Sequence, residues 1–456
     1  MGTEAPTSVV IPVHCAPKKA PCPECGRRGR RKRTLTRTVR TVAYKAVAVL
    51  EVTYGEYAAR CGCRTTFRNN PAGVLPRAHY DNKVRELVLD RLLKDGMSIE
   101  RAPASIRREF LLDLSPGFVY DVLRDRAASL DMAAHRRKVL EHFSGTLCVD
   151  ELHLGRFTLL LATDPLCGVP VAFALVGKND RSHMERFLGN LKTWGLAPRV
   201  VVTDGSNLYP AVLADLWPDA DHQLCVFHVI KDINGLILDA VRRLKAAMAR
   251  RGKAGRKKKR GRKGRKAGAA AARQGPSVKE KAHFVFKHRH LVVKRREDLT
   301  GAERGDLVRM LEYLPELGVL RRFADRIYWL FDTAKDLHQA GCRRTAVLRD
   351  PEFRAVPELA KAMEHLDEEK FAKLMAYLKS PAGRRVRTNN HVERANRMFR
   401  FLEKVRYKWR RRRTLVRFVV LRLEAVWSDW ALTGDNKPVS RLKSPPGRDH
   451  RAKRAA

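Results

Sequence analysis

Residues Thr146–Asp164 have the sequence TLCVDELHLGRFTLLLATD, in which two short apolar runs, β-branched in part, stand on either side of a glycine. Short apolar runs of this kind are typical of buried strands. VPVAFALVG (Val169–Gly177), PRVVVTDG (Pro198–Gly205) and HQLCVFH (His222–His228) continue the pattern, with a helical segment between the third run and the fourth. Three consecutive strands, then helix, strand, helix and strand, predict a mixed sheet in an α/β core.

Two of the predicted strands end in carboxylates, Asp150 in CVDE and Asp204 in VVVTDG. In an open α/β sheet, the carboxyl ends of the strands form the crevice where sites are built. Two carboxylates there repel each other unless a cation lies between them, and Mg²⁺ binds carboxylates while leaving positions for phosphate oxygens and water. The structural alternative is that each aspartate only forms a turn.

Helix starts are predicted at two places around this core. Ser182 and Glu185 form a capping box for the helix after the third strand. In TNNHVERANRMFRFLEKVRYKWRRRR (Thr388–Arg413), Asn390 is a suitable N-cap and Glu393 follows it by three residues, which alone indicates another capping box. Docking of this helix onto the sheet would bring Glu393 near the strand ends, if the helix points the right way. The apolar stripe that predicts docking is Val392, Ala395, Phe399 and Leu402.

Charge dominates the composition of this chain of 456 residues. Lys and Arg number 93 against 49 Asp and Glu, which gives a net charge of +44. So large an excess indicates a polyanionic partner, with nucleic acid as the leading candidate. An anionic membrane would require an apolar span of roughly 18 residues or a basic amphipathic anchor. The sequence has no such span, and its first residues, MGTEAPTSVV, do not resemble a secretion signal.

Two tight cysteine pairs, CPEC and CGC, lie in the first 76 residues, on either side of an alternating Thr- and Val-rich stretch that predicts strands. Tetrahedral zinc takes four soft ligands, and a hairpin can bring two pairs together. A structural zinc ribbon is therefore predicted over 1–76. The alternatives are four unrelated buried cysteines, or a ligand set in which His14 or Cys15 substitutes. The predicted zinc ligands are Cys22, Cys25, Cys61 and Cys63.

The segment 80–132 has helical periodicity. Val84, Leu87, Val88 and Leu92 mark one helix, Ile106 and Phe110 a second that Pro103 starts, and Ser115-Pro116 the N-cap and first residue of a third. Three short basic helices predict a helix-turn-helix for DNA binding, and a plain helical spacer is an equally good interpretation. The residues that the third helix would offer to the major groove are Tyr120, Arg124 and Arg126.

Two further basic segments follow. Arg250–Lys266 has no acidic residue and is predicted to be a disordered, solvated linker. Its lysines, Lys257 and Lys258 among them, either contact phosphates or are only solvated, and the two interpretations are equally good. Ala282–Leu378 has the pattern of a helical insertion. Arg410 and Arg411 lie close to Tyr407 and Trp409 in the sequence. Such a combination can bind phosphates and stack on bases, and an ordinary exposed helix face is an equally good interpretation.

Four motifs, VDELHLG, VVTDGSNLYPAV, HQLCVFHVIKDI and TNNHVERANRMFR, resemble in this order those of the bacterial insertion-sequence DDE transposases of the ISL-three family. The resemblance implies an α/β RNase H-like mixed-sheet core interrupted by an all-α insertion. It also implies that Asp150, Asp204 and Glu393 are catalytic and hold two Mg²⁺ or Mn²⁺ ions, and it favours Asp150 over Glu151 and Asp164 as the first acid. Cys225 and His228 match an auxiliary Cys-x-x-His pair that shapes the active site.

The implied function is metal-dependent DNA strand cleavage and strand transfer at the ends of an insertion sequence, in the bacterial cytoplasm at the nucleoid, by at least a dimer. The alternatives are a domesticated DNA-binding regulator without catalysis and an RNase H-like nuclease without joining activity. The expected domains are a zinc ribbon (1–76), a helix-turn-helix (80–132), a first core part (140–235), a basic linker with helical insertion (236–384), a second core part with the third acid (385–432) and a basic tail (433–456).

Overall fold

The structure is a computed structural model and describes residues 8–59, 61–63, 66–254, 275–406 and 410–433. Several predicted features lie outside the described residues. These are the linker lysines Lys257 and Lys258, the aromatic residues Tyr407 and Trp409, and the tail from residue 434 onward.

The chain forms two compact units, and each is assembled from separated segments. The terminal unit contains residues up to 138, the turn 153–158 and residues 396–434. The core unit contains residues 139–152 and 159–395.

The terminal unit begins with a five-stranded sheet in the order β1-β4-β3-β2, in which β5 also pairs with β4. β3 and β4 form a long antiparallel hairpin, whereas β1 runs parallel to β4. The predicted alternation is observed, since Val39 and Val52 face inward and are fully buried. The strands are β1 (Ser8–Cys15), β2 (Lys19–Pro21), β3 (Arg28–Thr41), β4 (Val47–Ala58) and β5 (Thr66–Arg68).

Helices follow this sheet, and their starts are defined by side-chain caps. Asp81 accepts a hydrogen bond from the Val84 amide at 3.1 Å, and Ser115 accepts one from the Phe118 amide at 3.1 Å, as predicted for the third helix. The second helix begins at Arg101 rather than at Pro103. The helices are α1 (Asn82–Leu93), α2 (Arg101–Phe110), α3 (Pro116–Ala128) and α4 (Met132–His142), of which α4 runs from the terminal unit into the core unit.

The core unit contains a second five-stranded sheet in the order β10-β9-β6-β7-β8, with β6, β9 and β10 parallel. Its strands coincide with the five predicted apolar runs, although the last strand ends at Leu224. The elements are β6 (Thr146–Leu154), β7 (Phe157–Asp164), β8 (Val169–Val176), α5 (Arg181–Thr193), β9 (Val200–Thr203), α6 (Tyr209–Leu216) and β10 (Asp221–Leu224).

The predicted capping box of α5 is wrong. The helix begins at Arg181, and its N-cap is Asp180, whose carboxylate accepts a hydrogen bond from the His183 amide at 3.0 Å. Glu185 instead forms an ion pair with Arg181 at 2.6 Å. An aspartate in extended conformation caps as well as a serine does, so sequence spacing alone selected the wrong residue.

The rest of the core unit is helical, as expected over Ala282–Leu378. A large apolar cluster that includes Phe323, Phe331 and Phe353 holds these helices together. Among the described helices, none is long and apolar enough to cross a membrane. The helices, apart from short 3-10 turns, are α7 (Val226–Ala254), α8 (Val278–His288), α9 (Gly301–Tyr313), α10 (Leu317–Thr333), α11 (Leu337–Arg349), α12 (Pro351–Arg354), α13 (Pro357–Met363) and α14 (Glu368–Met375).

Two helices complete the chain, α15 (Asn390–Arg406) and α16 (Arg412–Thr433). The first turns of α15 belong to the core unit, and its remainder, with α16, belongs to the terminal unit. All four residues of the predicted apolar stripe of α15 are buried, with at most 3% of their surface exposed.

Candidate active site

Two carboxylates lie side by side on neighbouring strands. Asp204 directly follows β9, whereas Asp150 lies in the middle of β6, which continues to Leu154, so the prediction that Asp150 ends its strand is wrong. β6 pairs with β9 in parallel, with Thr146 opposite Val200 and Cys148 opposite Val202. The same offset of 54 residues, continued past the end of β9, puts Asp150 opposite Asp204. Carboxylate oxygens of Asp150, Glu151 and Asp204 all lie within 4.8 Å of one another. Because the two strands pair in this parallel register, acids that are 54 residues apart in the sequence lie in one cluster.

Glu151 is held in this cluster by two side chains. The Tyr209 hydroxyl and the Asn179 amide both donate hydrogen bonds to its carboxylate, the second at 3.3 Å. Burial raises the pKa of Glu151, and the charge of Asp204 raises it further, whereas the two hydrogen bonds oppose this shift. Burial also raises the pKa of Tyr209 well above its usual value, with the charge of Glu151 as the next cause, so the phenol remains a donor.

The N-terminus of α15 is fixed beside the acidic cluster by Asn389, which is fully buried. Its side-chain amide donates a hydrogen bond to the Val149 carbonyl at 2.9 Å, one residue before Asp150. Its backbone amide donates to the Cys225 sulfur at 3.3 Å. The first turn of α15 is thereby attached both to β6 and to the residue that follows β10, which settles the helix direction that the sequence left open.

Glu393 lies in this first turn and is directed toward α7. Its Oε1 is 3.6 Å from Nε2 of His228, and 19% of the glutamate side chain is exposed. The pKa of His228 is raised to about 9 by its interaction with the Cys225 sulfur and by the charges of Glu393 and Asp204, while burial opposes the shift. His228 therefore stands within the field of two of the three predicted catalytic acids.

The predicted triad is only partly brought together at short range. Asp150 and Asp204 share the 4.8 Å cluster with Glu151, and Glu393 is not a member of that cluster. Glu393 Oε1 is nevertheless buried, and it has no hydrogen-bond partner among the described residues. The His228 ring at 3.6 Å provides a charged neighbour but no hydrogen bond, so the oxygen keeps lone pairs that a metal ion or water can use. Oxygen-only donors of this kind fit a hard divalent cation such as Mg²⁺ or Mn²⁺.

Asp164, the third acid that competed for the first catalytic position, has a different environment. It is 1% exposed, and its two oxygens accept hydrogen bonds from the Ser144 amide and hydroxyl and from the amides of Leu166 and Cys167, at 2.7–3.1 Å. Four donors occupy the lone pairs that a metal ion would need. Asp164 therefore closes the turn after β7.

The two cysteine pairs of the terminal unit converge. The sulfur atoms of Cys22, Cys25, Cys61 and Cys63 lie within 4.8 Å of one another, as four thiolates around one zinc ion do. A hydrogen bond with Cys25, burial, and a hydrogen bond with Cys61 raise the pKa of Cys63 to about 12, and a bound dication would favour the thiolate instead. Cys15 is not a member of this cluster, since its sulfur accepts a hydrogen bond from the Asn69 side chain at 3.0 Å.

Two of the predicted DNA-binding arginines on α3 are paired within the terminal unit. Arg124 lies 2.6 Å from Asp121 and 2.8 Å from Asp125. Arg126 is ion-paired with Glu424 of α16. Both guanidinium groups are thus engaged by carboxylates.

The other described candidates lie near the start of α16. The Arg411 guanidinium is 5.5 Å from the centre of the Tyr120 ring, over its face. The Arg410 carbonyl accepts a hydrogen bond from Arg156 at 2.6 Å, whereas the side chains of Arg410 and Arg411 are exposed. These side chains remain available to a ligand.

Three residues around the acids were not singled out from the sequence. Tyr209 and Asn389 stand inside quoted motifs, but hydrogen bonds to Glu151 and Val149 cannot be inferred from spacing. Asn179 lies in the connection between β8 and α5 and has no local signal.

The fold and this cluster define an α/β protein whose acidic site lies where the middle of β6 meets the end of the parallel strand β9. The family model of the transposases of the DDE type named ISL3 matches residues 147–416, more than half of the chain and the whole span from β6 to the first residues of α16. The chain belongs to this transposase family, which confirms the resemblance found in its motifs. None of the curated proteins matches the chain.

Proposed function

We propose that this transposase cleaves and joins DNA strands at a divalent-metal site formed by Asp150, Asp204 and Glu393. The observation that carries the proposal is the meeting of Asp150 and Asp204 across the β6–β9 pair, with the α15 N-terminus attached one residue before Asp150. The order of the core strands, with β6, β7 and β8 joined by short turns and β9 and β10 parallel to β6, supports an RNase H-like core.

Asp150 and Asp204 are proposed to hold two Mg²⁺ or Mn²⁺ ions together with Glu393. Bound ions would lower the pKa of the attacking water or 3′-hydroxyl and offset the negative charge on the phosphate oxygens. The chain's own residues position the acids. Asn389 fixes the helix start, and Cys225 and His228 are proposed as the auxiliary pair that sets the orientation of Glu393.

Glu151 is proposed to shape the acidic cluster rather than to be a principal metal ligand. Tyr209 and Asn179 donate to both of its oxygens, which restricts this carboxylate as a metal ligand. The burial that raises its pKa also disfavours a further full negative charge beside Asp150 and Asp204.

The terminal unit is proposed to recognise the ends of the insertion sequence. The zinc ribbon (1–76), held by structural zinc on four cysteines, and the helix-turn-helix (80–132) precede the divided core (140–235 and 385–432), the insertion (236–384) and the tail (433–456). Two DNA ends require two active sites, so at least a dimer is expected during the reaction. The place of action is expected to be the bacterial cytoplasm, at the nucleoid.

The test is cleavage of labelled duplexes that carry the terminal repeats flanking the gene, with and without Mg²⁺. Glu393→Gln should abolish cleavage and leave end binding nearly unchanged, because the substitution removes charge without removing volume. Glu403→Gln, on the same helix, is the matched control and should cleave as the wild type does.

The outcomes separate the candidate functions. Full cleavage by Glu393→Gln refutes the site. Binding without cleavage by the wild-type protein favours the DNA-binding regulator. Cleavage without any joined product, when target DNA is supplied, favours a nuclease.

A further inference from the structure

A groove with a volume of about 930 Å³ crosses the terminal unit between α2 and the segment where α15 ends and α16 begins. Residues 95–101, the exposed side of α2 and Tyr120 of α3 form one wall, and residues of α15 and α16 form the other. None of its lining residues belongs to the proposed catalytic site. The five cationic residues in the lining, all exposed, are Arg101, Arg108, Lys404, Arg410 and Arg411.

The positive charge of this groove is not neutralised from within. Among the residues that the structure describes, none places a carboxylate within ion-pair distance of these five side chains. The lining contains two acids, Asp95 and Glu100, and Asp95 is already bound to Arg91 at 2.8 Å. Five cations against two acids leave a net charge of +3 in the lining, which is the arrangement expected where a polyanion supplies the missing charge.

Part of the groove is preorganised for a ligand. The Arg411 guanidinium lies over the Tyr120 ring, which orients a planar donor group while leaving its N–H groups free to bind phosphate. The hydrogen bond from Arg156 to the Arg410 carbonyl fixes the backbone at the adjoining residue. Ordering these arginines in advance lowers the entropy cost of binding.

The exposed faces of α2 and α3 differ in charge. α2 exposes Arg101, Ala104 and Arg108 toward the groove. The exposed stripe of α3 contains Asp121 and Arg124, which are paired with each other at 2.6 Å. The solvent face of α3 is therefore nearly neutral, whereas that of α2 is basic.

We propose that the groove binds the phosphodiester backbone of duplex DNA, so that α2, and not the exposed face of α3, is the helix that meets the DNA. This inference rests on the proposed function, which requires a DNA ligand, and it assigns the contact surface. The closely spaced exposed cations match a row of phosphates, which supply one negative charge per about 1.7 Å of duplex axis.

A matched pair of single substitutions tests the assignment. Ala104 lies in the groove on α2, and Ala128 is exposed at the end of α3. A glutamate at either position changes the net charge equally and replaces no existing contact. By fluorescence anisotropy with a 30-base-pair duplex, Ala104→Glu should weaken affinity about tenfold, and Ala128→Glu less than about twofold, because only the first places a carboxylate beside bound phosphates. Equal effects would overturn the assignment.

The salt dependence of binding gives a second test. The triple variant Arg101→Gln, Arg108→Gln and Arg411→Gln should flatten the slope of log K against log salt by about 3, since each lost phosphate contact removes about 0.9. A triple Arg→Lys variant should restore it. The control changes the same number of exposed but ion-paired cations, Lys94, Arg107 and Arg124, to glutamine and should alter the slope by less than about 1.

These tests separate failure of the groove from failure of the proposed function. If the wild-type protein cleaves its end DNA, but the triple Gln variant of the groove and the triple Gln control have the same salt dependence of binding, the groove is refuted and the proposed function stands. A wild-type protein that binds no duplex refutes both. Unchanged unfolding midpoints for the variants are checked first by circular dichroism.

Discussion

Asn389→Ala tests whether the start of α15 is attached to the strand that carries Asp150. The substitution removes the 2.9 Å hydrogen bond from the asparagine amide to the Val149 carbonyl, and both residues are fully buried. Loss of a buried partner costs about 1–3 kcal/mol, and the volume lost adds to it. We therefore expect the first turn of α15 to become about 2 kcal/mol easier to open.

The neighbouring asparagine provides the control. Asn390 is exposed and is the first residue of the helix, so Asn390→Ala makes the same chemical change outside the buried contact. By hydrogen–deuterium exchange, the peptide spanning residues 388–396 should exchange roughly thirtyfold faster in Asn389→Ala, which corresponds to about 2 kcal/mol. In Asn390→Ala it should exchange within about twofold of the wild type.

The catalytic consequence follows from the same contact. An α15 start that opens more often positions Glu393 less often, so DNA cleavage by Asn389→Ala should fall at saturating DNA while end binding persists. Equal exchange rates in the two alanine variants would refute the attachment, whatever happens to cleavage.

Three further predictions concern the zinc cluster, the protonation of His222 and the hydrogen bond from Tyr209 to Glu151. Cys61→Ser should lower bound zinc from one ion to none per chain by atomic absorption, whereas Cys15→Ser should retain it, and equal zinc contents would contradict the four-cysteine cluster. Burial lowers the pKa of His222 to about 4, so unfolding takes up a proton below pH 6.5. The free energy of unfolding should therefore fall between pH 6.5 and about 4, by at most about 3 kcal/mol. If the urea midpoint of His222→Gln depends on pH as the wild-type midpoint does, His222 is not the cause of this loss. Tyr209→Phe removes the hydroxyl donor to Glu151 and should destabilise the fold by about 1–3 kcal/mol, and an unchanged melting temperature would show that this contact contributes nothing.

The fold of the core was predictable because its strands are nearly pure apolar runs. Residues 157–164 form β7 just as their sequence indicates, and the buried stripe of α15 follows directly from helical spacing. The opposition of Asp150 and Asp204 was implied by the spacing of 54 residues once the parallel register was known. Patterns of burial are local, and the sequence records them directly.

Contacts of particular side chains were not predictable, whether local or between distant residues. The α5 cap at Asp180 and the pairing of Arg126 with Glu424 depend on which of several chemically suitable residues lies in reach. Glu151 was weighed only as a rival of Asp150, although the carboxylates of both residues approach Asp204. Its proximity to Asp204 is a property of the assembled sheet.

The most direct test of the metal site is anomalous scattering from crystals of the protein soaked in Mn²⁺. We expect manganese bound between the carboxylates of Asp150 and Asp204, with Glu393 as a ligand of at least one ion and the Glu151 oxygens still bound by Tyr209 and Asn179. Manganese held by Asp150, Glu151 and Asp204 alone, with Glu393 remaining against His228, would contradict the assignment of the third acid.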